Sequence, residues 1–240
     1  MKKYKGVFLD WDDTIGDWST VARKAHAEMY GMYHLDRWFA SAEEWTNAHA
    51  VHNAELWDGY GRGEVTKDFL YVDQFLYPLC RKMGMSEESA PAWLKDLALR
   101  LGDEYVRLTN TYCQLLPGAD RVVKYLAARY PLTVVSNGFV ECQYYKMEHT
   151  GLLPYFKHVV LSEEVGLQKP DPRIYETALS LNGLSASEVV MVGDSWSSDI
   201  HGAQLAGIDQ LWIRKAGAPE IDGQSATYVV HSIEDVMGLL

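Results

Sequence analysis

Cysteine is scarce in this chain. Its three copies, Cys80, Cys113 and Cys142, are odd in number, far apart and form no CxxC pair. That excludes a disulfide framework and a zinc knuckle and leaves reduced thiols. Long apolar runs are missing too, since nothing approaches the ~20 residues that a membrane span requires. The N-terminal MKKYKGVFLDWDD meets carboxylates before any apolar h-region, so it does not read as a secretory signal. A soluble, cytoplasmic protein with no membrane partner is the expectation. Positive charge is short as well: 22 Lys and Arg against 33 Asp and Glu give a net charge of -11. This is the wrong sign for a broad nucleic-acid or anionic-membrane surface. An acidic chain that handles phosphate must bring in positive charge locally, from a metal ion or a few placed lysines and arginines. Oligomeric state is left open.

What is there is an ordinary globular composition, 48% apolar and 23% charged over 240 residues. It is enough to bury a core and to hold one α/β domain with a sizeable insertion. Tyr4 to Asp10 reads as a short buried strand, because Val7-Phe8-Leu9 is too brief for a helix and stops in acid. From Asp17 to Leu115 helical punctuation takes over. Ser41 and Glu44 form a capping box before Trp45. Gly63 ends one helix and Thr66 caps the next, which runs to about Lys82. Trp93, Leu94, Leu97, Leu101, Tyr105 and Leu108 space out an amphipathic stretch over Glu87 to Tyr112, with a break near Pro91.

After Leu116-Pro117-Gly118 helices and strands alternate. A helix over Ala119 to Arg129 leads to a strand over Leu132 to Ser136. A second helix, Val140 to His149, leads to the strand His158 to Leu161. A third is opened by Asp171 with Pro172 in its first turn and closes at Asn182-Gly183. The strand Glu188 to Gly193, a helix over about Ser197 to Ala206, and short strands over Gln210 to Arg214 and Thr227 to Val230 complete the pattern. This spacing predicts an α/β fold of parallel βαβ units, with helices on both faces of one sheet. The expected organisation is one α/β core, residues 1–16 plus 116–240, interrupted by an α-helical domain over 17–115.

In open parallel sheets ligands bind beyond the carboxyl ends of the strands, and polar residues collect there. The first strand ends in Asp10-Trp11-Asp12-Asp13-Thr14, the second in Ser136-Asn137-Gly138, and the fourth in Gly193-Asp194-Ser195, with Asp199 opening the next helix. Extended geometry carried two residues past the first strand would put Asp10 and Asp12 on one side, ~6–7 Å apart. Lys169, held extended by Pro170, supplies one cation near the same edge. Three or four carboxylates brought together repel one another unless a hard cation sits among them. Oxygen ligands completed by water and a substrate phosphate suit Mg²⁺. In that setting Asp10 is the candidate nucleophile. Asp12, crowded by like charge, is expected to hold its proton more firmly and to serve as general acid, then base. Ser136, the backbone N–H groups after it from Asn137 onward, and Lys169 are the candidate holders of the transferring phosphoryl oxygens, with Thr14 beside them.

Asp10-x-Asp12-x-Thr14, Ser136-Asn137-Gly138, Lys169-Pro170 and Gly193-Asp194-x-x-x-x-Asp199, in this order, resemble the four motifs of the haloacid dehalogenase-like hydrolase superfamily. The helical stretch directly after the first motif is similar to that superfamily's C1 cap, so the resemblance spans the chain. The core it implies is Rossmann-like. Gly151-Leu152 followed by Tyr155-Phe156, then Ser162 to Gly166, Lys169 to Pro172 and Met191 to Asp194, look like the branch that holds house-cleaning pyrimidine 5′-nucleotidases. The resemblance implies a phosphomonoester hydrolase acting on a small phosphorylated metabolite, with a nucleoside 5′-monophosphate favoured. It implies Asp10 as nucleophile and Asp12 as acid/base. It implies Mg²⁺ held by Asp10, the Asp12 carbonyl and Asp194, with Asp199 in support and Ser136 and Lys169 clamping the phosphoryl group. Trp11 departs from the pattern by its bulk.

Other features carry less. Asp13 and Asp17 read as surface charge. Gly59 to Gly63 imitates a phosphate loop, but no strand precedes it, so a helix–helix turn is expected. His49 and His52 lack an acidic ligand at matching spacing and read as ordinary histidines. The insert is rich in aromatic residues, most of them expected to pack helices. Trp11 and Trp18, near the seam, are the candidates to touch substrate by stacking on a base. A cap closing over the site would hinge near Gly16 and Pro117-Gly118. Four alternatives stay open: a phosphatase for sugar or other metabolite phosphates, a phosphomutase, a 2-haloacid dehalogenase, and a non-catalytic regulatory module. The second acid Asp12 argues against the dehalogenase, and the complete Asp10, Asp12, Lys169 and Asp194 set argues against the regulatory module.

Overall fold

All four residues of the first strand, β1 (Gly6–Leu9), are buried, as a short apolar run in the middle of a parallel sheet requires. The computed structural model describes residues 3–215 and 225–240. After β1 the chain enters four helices: α1 (Trp18–Met32), α2 (Ala42–Gly61), α3 (Lys67–Met83) and α4 (Ala92–Thr111). The starts of α2 and α3 follow local capping chemistry. Ser41 Oγ accepts from Glu44 N at 3.1 Å, and the Glu44 carboxylate reaches back to Ala40 N at 2.6 Å. Thr66 Oγ1 accepts from Phe69 N at 3.2 Å, and the break near Pro91 is the start of α4 itself. Gly59 and Gly61 belong to the last turn of α2, and Gly63, with φ 73°, closes the turn that follows.

The rest alternates. α5 (Ala119–Ala127) leads to β2 (Leu132–Ser136), α6 (Val140–His149) to β3 (His158–Leu161), and the single turn α7 (Ser162–Val165) precedes α8 (Pro172–Asn182). β4 (Val189–Gly193) then enters a π-type turn at Trp196–Ile200 and α9 (His201–Leu205), followed by β5 (Asp209–Ile213) and β6 (Tyr228–Val230). The six strands are all parallel, in the order β3-β2-β1-β4-β5-β6.

Side chains alternate between the two faces of each strand, so each apolar run feeds two cores. Val7, Leu9, Val134, Val190 and Val192 pack with Val122, Val123 and Leu126 of α5 and Met147 of α6. Phe8, Val135, Val160 and Met191 pack on the opposite face with Ile174, Tyr175 and Ala178 of α8 and Ala203 of α9. A buried valine, leucine or isoleucine side chain is worth roughly 1.5–3 kcal/mol, so these two layers fix the sheet and with it the positions of the strand ends.

The chain divides into two compact units, one formed by the residues up to Trp18 and by Cys113–Leu240, the other by Ser19–Tyr112. The α/β unit is a Rossmann-like parallel sheet with helices on both faces. The helical unit is packed around rings. His49 lies 4.9 Å from Phe75 and 6.3 Å from Trp45, and His26 lies 4.9 Å from Tyr105, all between ring centres. His49 and His52 are both buried, with Nε2 paired to Gln74 Oε1 at 3.2 Å and Asp73 Oδ2 at 2.8 Å. Not every aromatic residue joins this core: Trp93 is 51% exposed and stacks on Trp38. Among the described residues no helix is long and apolar enough to cross a membrane.

Candidate active site

Because β1 lies between β2 and β4, the residues ending these three strands become lateral neighbours. The Asp10 N–H still donates to Val192 O, at 3.0 Å, so Asp10 is fixed by the ladder. The chain then winds around one carbonyl: Thr14, Ile15 and Gly16 N–H all point to Trp11 O, at 3.3, 2.8 and 2.8 Å. Asp13 takes a left-handed conformation in this turn, with φ 60°. The turn returns Thr14 toward the sheet, where its hydroxyl donates to Asp194 Oδ1 at 3.3 Å. On the other side Asn137 grips the main chain of Lys169 twice, with Nδ2 donating to Lys169 O at 2.9 Å and Oδ1 accepting from Lys169 N at 2.8 Å. This aims the buried Lys169 side chain inward, where Nζ lies 2.6 Å from both Asp10 Oδ1 and Asp199 Oδ1. Asp199 Oδ2 accepts from Ser195 N at 3.0 Å. A side chain at 193 would collide with the Asp199 carboxylate, so Gly193 is needed for that close approach.

Carboxylate oxygens of Asp10, Asp194 and Asp199 lie within 4.8 Å of one another. Burial, then the charge of Asp199, pushes Asp10 up to about 7 despite Lys169. Burial, then Asp10, pushes Asp194 up to about 6, although Lys215 Nζ lies 3.0 Å from its Oδ2. Burial alone would lower Lys169, but Asp10 and Asp199 outweigh it and hold the ammonium above its ordinary range. The cluster thus holds anionic oxygens against their mutual repulsion. A small hard cation relieves such a set, and an all-oxygen donor group suits Mg²⁺. The residues present fit that ion.

A family model for haloacid dehalogenase-like hydrolases matches residues 4–207. The chain belongs to that family. As a haloacid dehalogenase-like hydrolase it is 27% identical over 241 residues to YfnB of Bacillus subtilis, described as a HAD-hydrolase, covering 100% of this chain and 97% of YfnB. It is 28% identical to the pyrimidine 5′-nucleotidase YjjG of Escherichia coli, covering 99% and 98% of the two chains. It is 29% identical to a glyceraldehyde 3-phosphate phosphatase of Pyrococcus furiosus, covering 100% and 93%. A crystal structure of YfnB bound to magnesium superposes with a TM-score of 0.82 at 26% identity, covering 100% of this chain and 99% of that one.

Some expected residues of this hydrolase stand elsewhere than the sequence led one to expect. Trp11 is 0% exposed and meets Phe156 edge-on at 6.2 Å, so its ring belongs to the core and presents no face to a substrate. Thr14 is fully buried and its hydroxyl serves Asp194, and the Asn137 side-chain amide serves the Lys169 backbone, so the hold expected of Asn137 on a phosphate falls to its main-chain N–H. Asp13 is no idle surface charge, since Lys215 Nζ lies 3.2 Å from its Oδ2. Like-charge crowding falls on Asp10 and Asp194. Asp12 instead faces α6, where Lys146 Nζ donates to Oδ1 at 2.7 Å and Gln143 Nε2 to Oδ2 at 2.6 Å. Trp18 is half-buried, with the Lys146 ammonium 4.2 Å from its ring centre.

Sequence reasoning missed Gln143, Lys146 and Lys215. The signal for the first two was present: a glutamine and a lysine three apart beside the apolar Met147 lie on one helical face. Lys215 follows a strand end, as the rule that found Asp194 requires.

Proposed function

We propose that this chain hydrolyses phosphomonoesters of small metabolites through a phosphoryl group carried on Asp10, with nucleoside 5′-monophosphates as the favoured substrates. The observation that carries this reading is the convergence of Asp10, Asp194 and Asp199 on one another at the carboxyl edge of the sheet, with Lys169 bridging Asp10 and Asp199. Asp10, the Asp12 carbonyl and Asp194 would hold Mg²⁺, which when bound supplies positive charge to the phosphate and its carboxylate neighbours.

Asp10 attacks phosphorus in line, forming an oxygen–phosphorus bond as the ester bond breaks, while Asp12 gives its proton to the departing oxygen. A water molecule then attacks phosphorus and gives a proton to Asp12 as the bond to Asp10 breaks. Both aspartates return to their starting state. Ser136 Oγ accepts from Gly138 N at 3.2 Å and from Gln143 Nε2 at 3.0 Å, which leaves its own hydrogen for a phosphoryl oxygen. Lys169 supplies the fixed cation, steadied by Asp199. By its place in the chain the helical unit takes the part of a C1 cap. The likeness to a protein named as a pyrimidine 5′-nucleotidase supports a nucleotide substrate, and the Trp18 ring is the candidate platform for its base. Three free cysteines support action in the reducing cytoplasm.

A screen of phosphorylated metabolites with Mg²⁺ and with a chelator tests the proposal. Release of phosphate is expected only with the metal, with nucleoside monophosphates among the best substrates. A rapidly quenched reaction should hold the phosphoryl group as an acid-stable, hydroxylamine-labile adduct on Asp10. Turnover that survives Asp10→Asn would end the proposal.

A further inference from the structure

We propose that Gln143 and Lys146 are positioning residues that hold the two carboxylate oxygens of Asp12 and aim them at the leaving oxygen of the substrate; the proposal rests on Asp12 acting as the acid/base described above. Both residues are far from solvent, Gln143 at 0% and Lys146 at 6% exposure. A buried lysine is costly unless its charge is answered, and here the answer is Asp12 Oδ1 at 2.7 Å. Gln143 uses one amide group on two partners, Asp12 Oδ2 at 2.6 Å and Ser136 Oγ at 3.0 Å. One side chain therefore ties the acid/base to the phosphate-holding hydroxyl, and sets the distance between them.

Two features show how the chain makes room for this contact. A side chain at position 138 would run into the Gln143 amide, so Gly138 permits the approach of α6. Trp18 lies against the Lys146 ammonium, 4.2 Å from ring centre to Nζ, and narrows its choice of rotamer. Each carboxylate oxygen has a second lone-pair direction. Fixing the first on both oxygens fixes where the second points, and that is the direction from which a proton is passed. A carboxyl free to turn would lose this orientation, and small misplacements in such transfers are costly in rate.

A residue that merely holds the fold together lowers turnover of every substrate alike, whereas one that aims a general acid matters most when the leaving oxygen needs a proton. The experiment compares single-turnover rate constants for p-nitrophenyl phosphate, whose phenolate leaves unaided, with those for the nucleoside 5′-monophosphate turned over fastest, whose alkoxide does not. Asp12→Asn is expected to lower the alkyl rate on the order of 10²-fold more than the aryl rate. Lys146→Met and Gln143→Leu are each expected to lower the alkyl rate about 10-fold more than the aryl rate, with KM nearly unchanged, and to add little in the Asp12→Asn background. Lys146→Arg is expected to restore most of the alkyl rate. The alkyl-to-aryl ratio is taken within one preparation, so partial misfolding cancels. Equal losses on both substrates in the Gln143 and Lys146 variants, with Asp12→Asn still selective, would overturn the inference alone. Equal losses in Asp12→Asn itself would overturn the role given to Asp12 as well.

Discussion

The two units bury polar groups on opposite terms. In the α/β unit charges of mostly one sign crowd at the sheet edge: the buried Lys169 lies between the buried Asp10 and Asp199, and the part-buried Asp13 and Asp194 beside them meet the exposed Lys215. In the helical unit the buried polar groups are mainly imidazoles, with Gln74 paired to His49 and the buried Asp73 carboxylate answered by His52, and burial pushes His49 down to about 4 and His26 well below its ordinary value. There the histidines are neutral flat rings among Trp45, Phe75 and Tyr105. The first arrangement stores repulsion that a cation or phosphate chemistry can use. The second is closed on itself and serves packing. Buried polarity marks a reactive site only where its charges are left unbalanced.

The contrast breaks most visibly on substitution. Asp10→Asn is expected to lower turnover by about four orders of magnitude or more, while the melting temperature falls little, because a repelled charge is removed and an oxygen remains for Lys169. Phe75→Ala is expected to do the reverse. Loss of a buried ring costs about 3–5 kcal/mol, read by urea denaturation, while turnover per folded molecule stays within about threefold. Large destabilisation in the first variant, or lost turnover without unfolding in the second, would erase the distinction.

Acid sharpens it. An unfolded histidine binds its proton near pH 6.5, whereas His49 resists until about 4. Between those values the unfolded chain binds the extra proton, so stability falls as pH drops, by about 3 kcal/mol in all. The carboxylates run the other way. With Asp10 raised to about 7 and Asp194 to about 6, the folded chain keeps protons that the unfolded chain sheds near pH 4, and without metal that share of stability is lost as pH rises through this range. Denaturation from pH 4 to 7 should show His49→Phe losing the His49 share of the acid-side fall, with the share of His26 left in place. A fall of the same size in that variant would place its cause elsewhere.

Much of this was legible because it is local. Short apolar runs between turn signals need no tertiary context: β2 and β3 begin and end where Leu132–Ser136 and His158–Leu161 are so bounded, and α8 is framed by Asp171-Pro172 and Gly183. The acidic cluster was legible for a second reason, since parallel strands bring their carboxyl ends to one edge whatever the loops do. Environment was not. That Asp12 meets a lysine and an amide depends on where α6 brings Lys146 and Gln143, and Gly138 leaves the room that the Gln143 side chain occupies. That Trp11 faces inward depends on three N–H groups sharing its carbonyl, which turns the ring into the core. Charge counting places residues at an edge, but partners are set by packing across elements far apart in sequence.

The smallest expected effect is the one that separates the units without touching turnover. A cation that binds the folded carboxylates and not the unfolded chain stabilises by mass action, by about 2.7 kcal/mol at one hundred times its dissociation constant. Hydrogen exchange resolved by segment, in Mg²⁺ against chelator, should place the added protection in β1 and β4, next to Asp10 and Asp194, and leave α2 and α3 around His49 and Phe75 nearly unchanged. Asp194→Asn should abolish the gain, since it removes one oxygen charge from the cluster while keeping an acceptor for Thr14. Protection that rises equally in both units, or that survives Asp194→Asn, would mean that the unbalanced charges of the α/β unit are not what the cation answers.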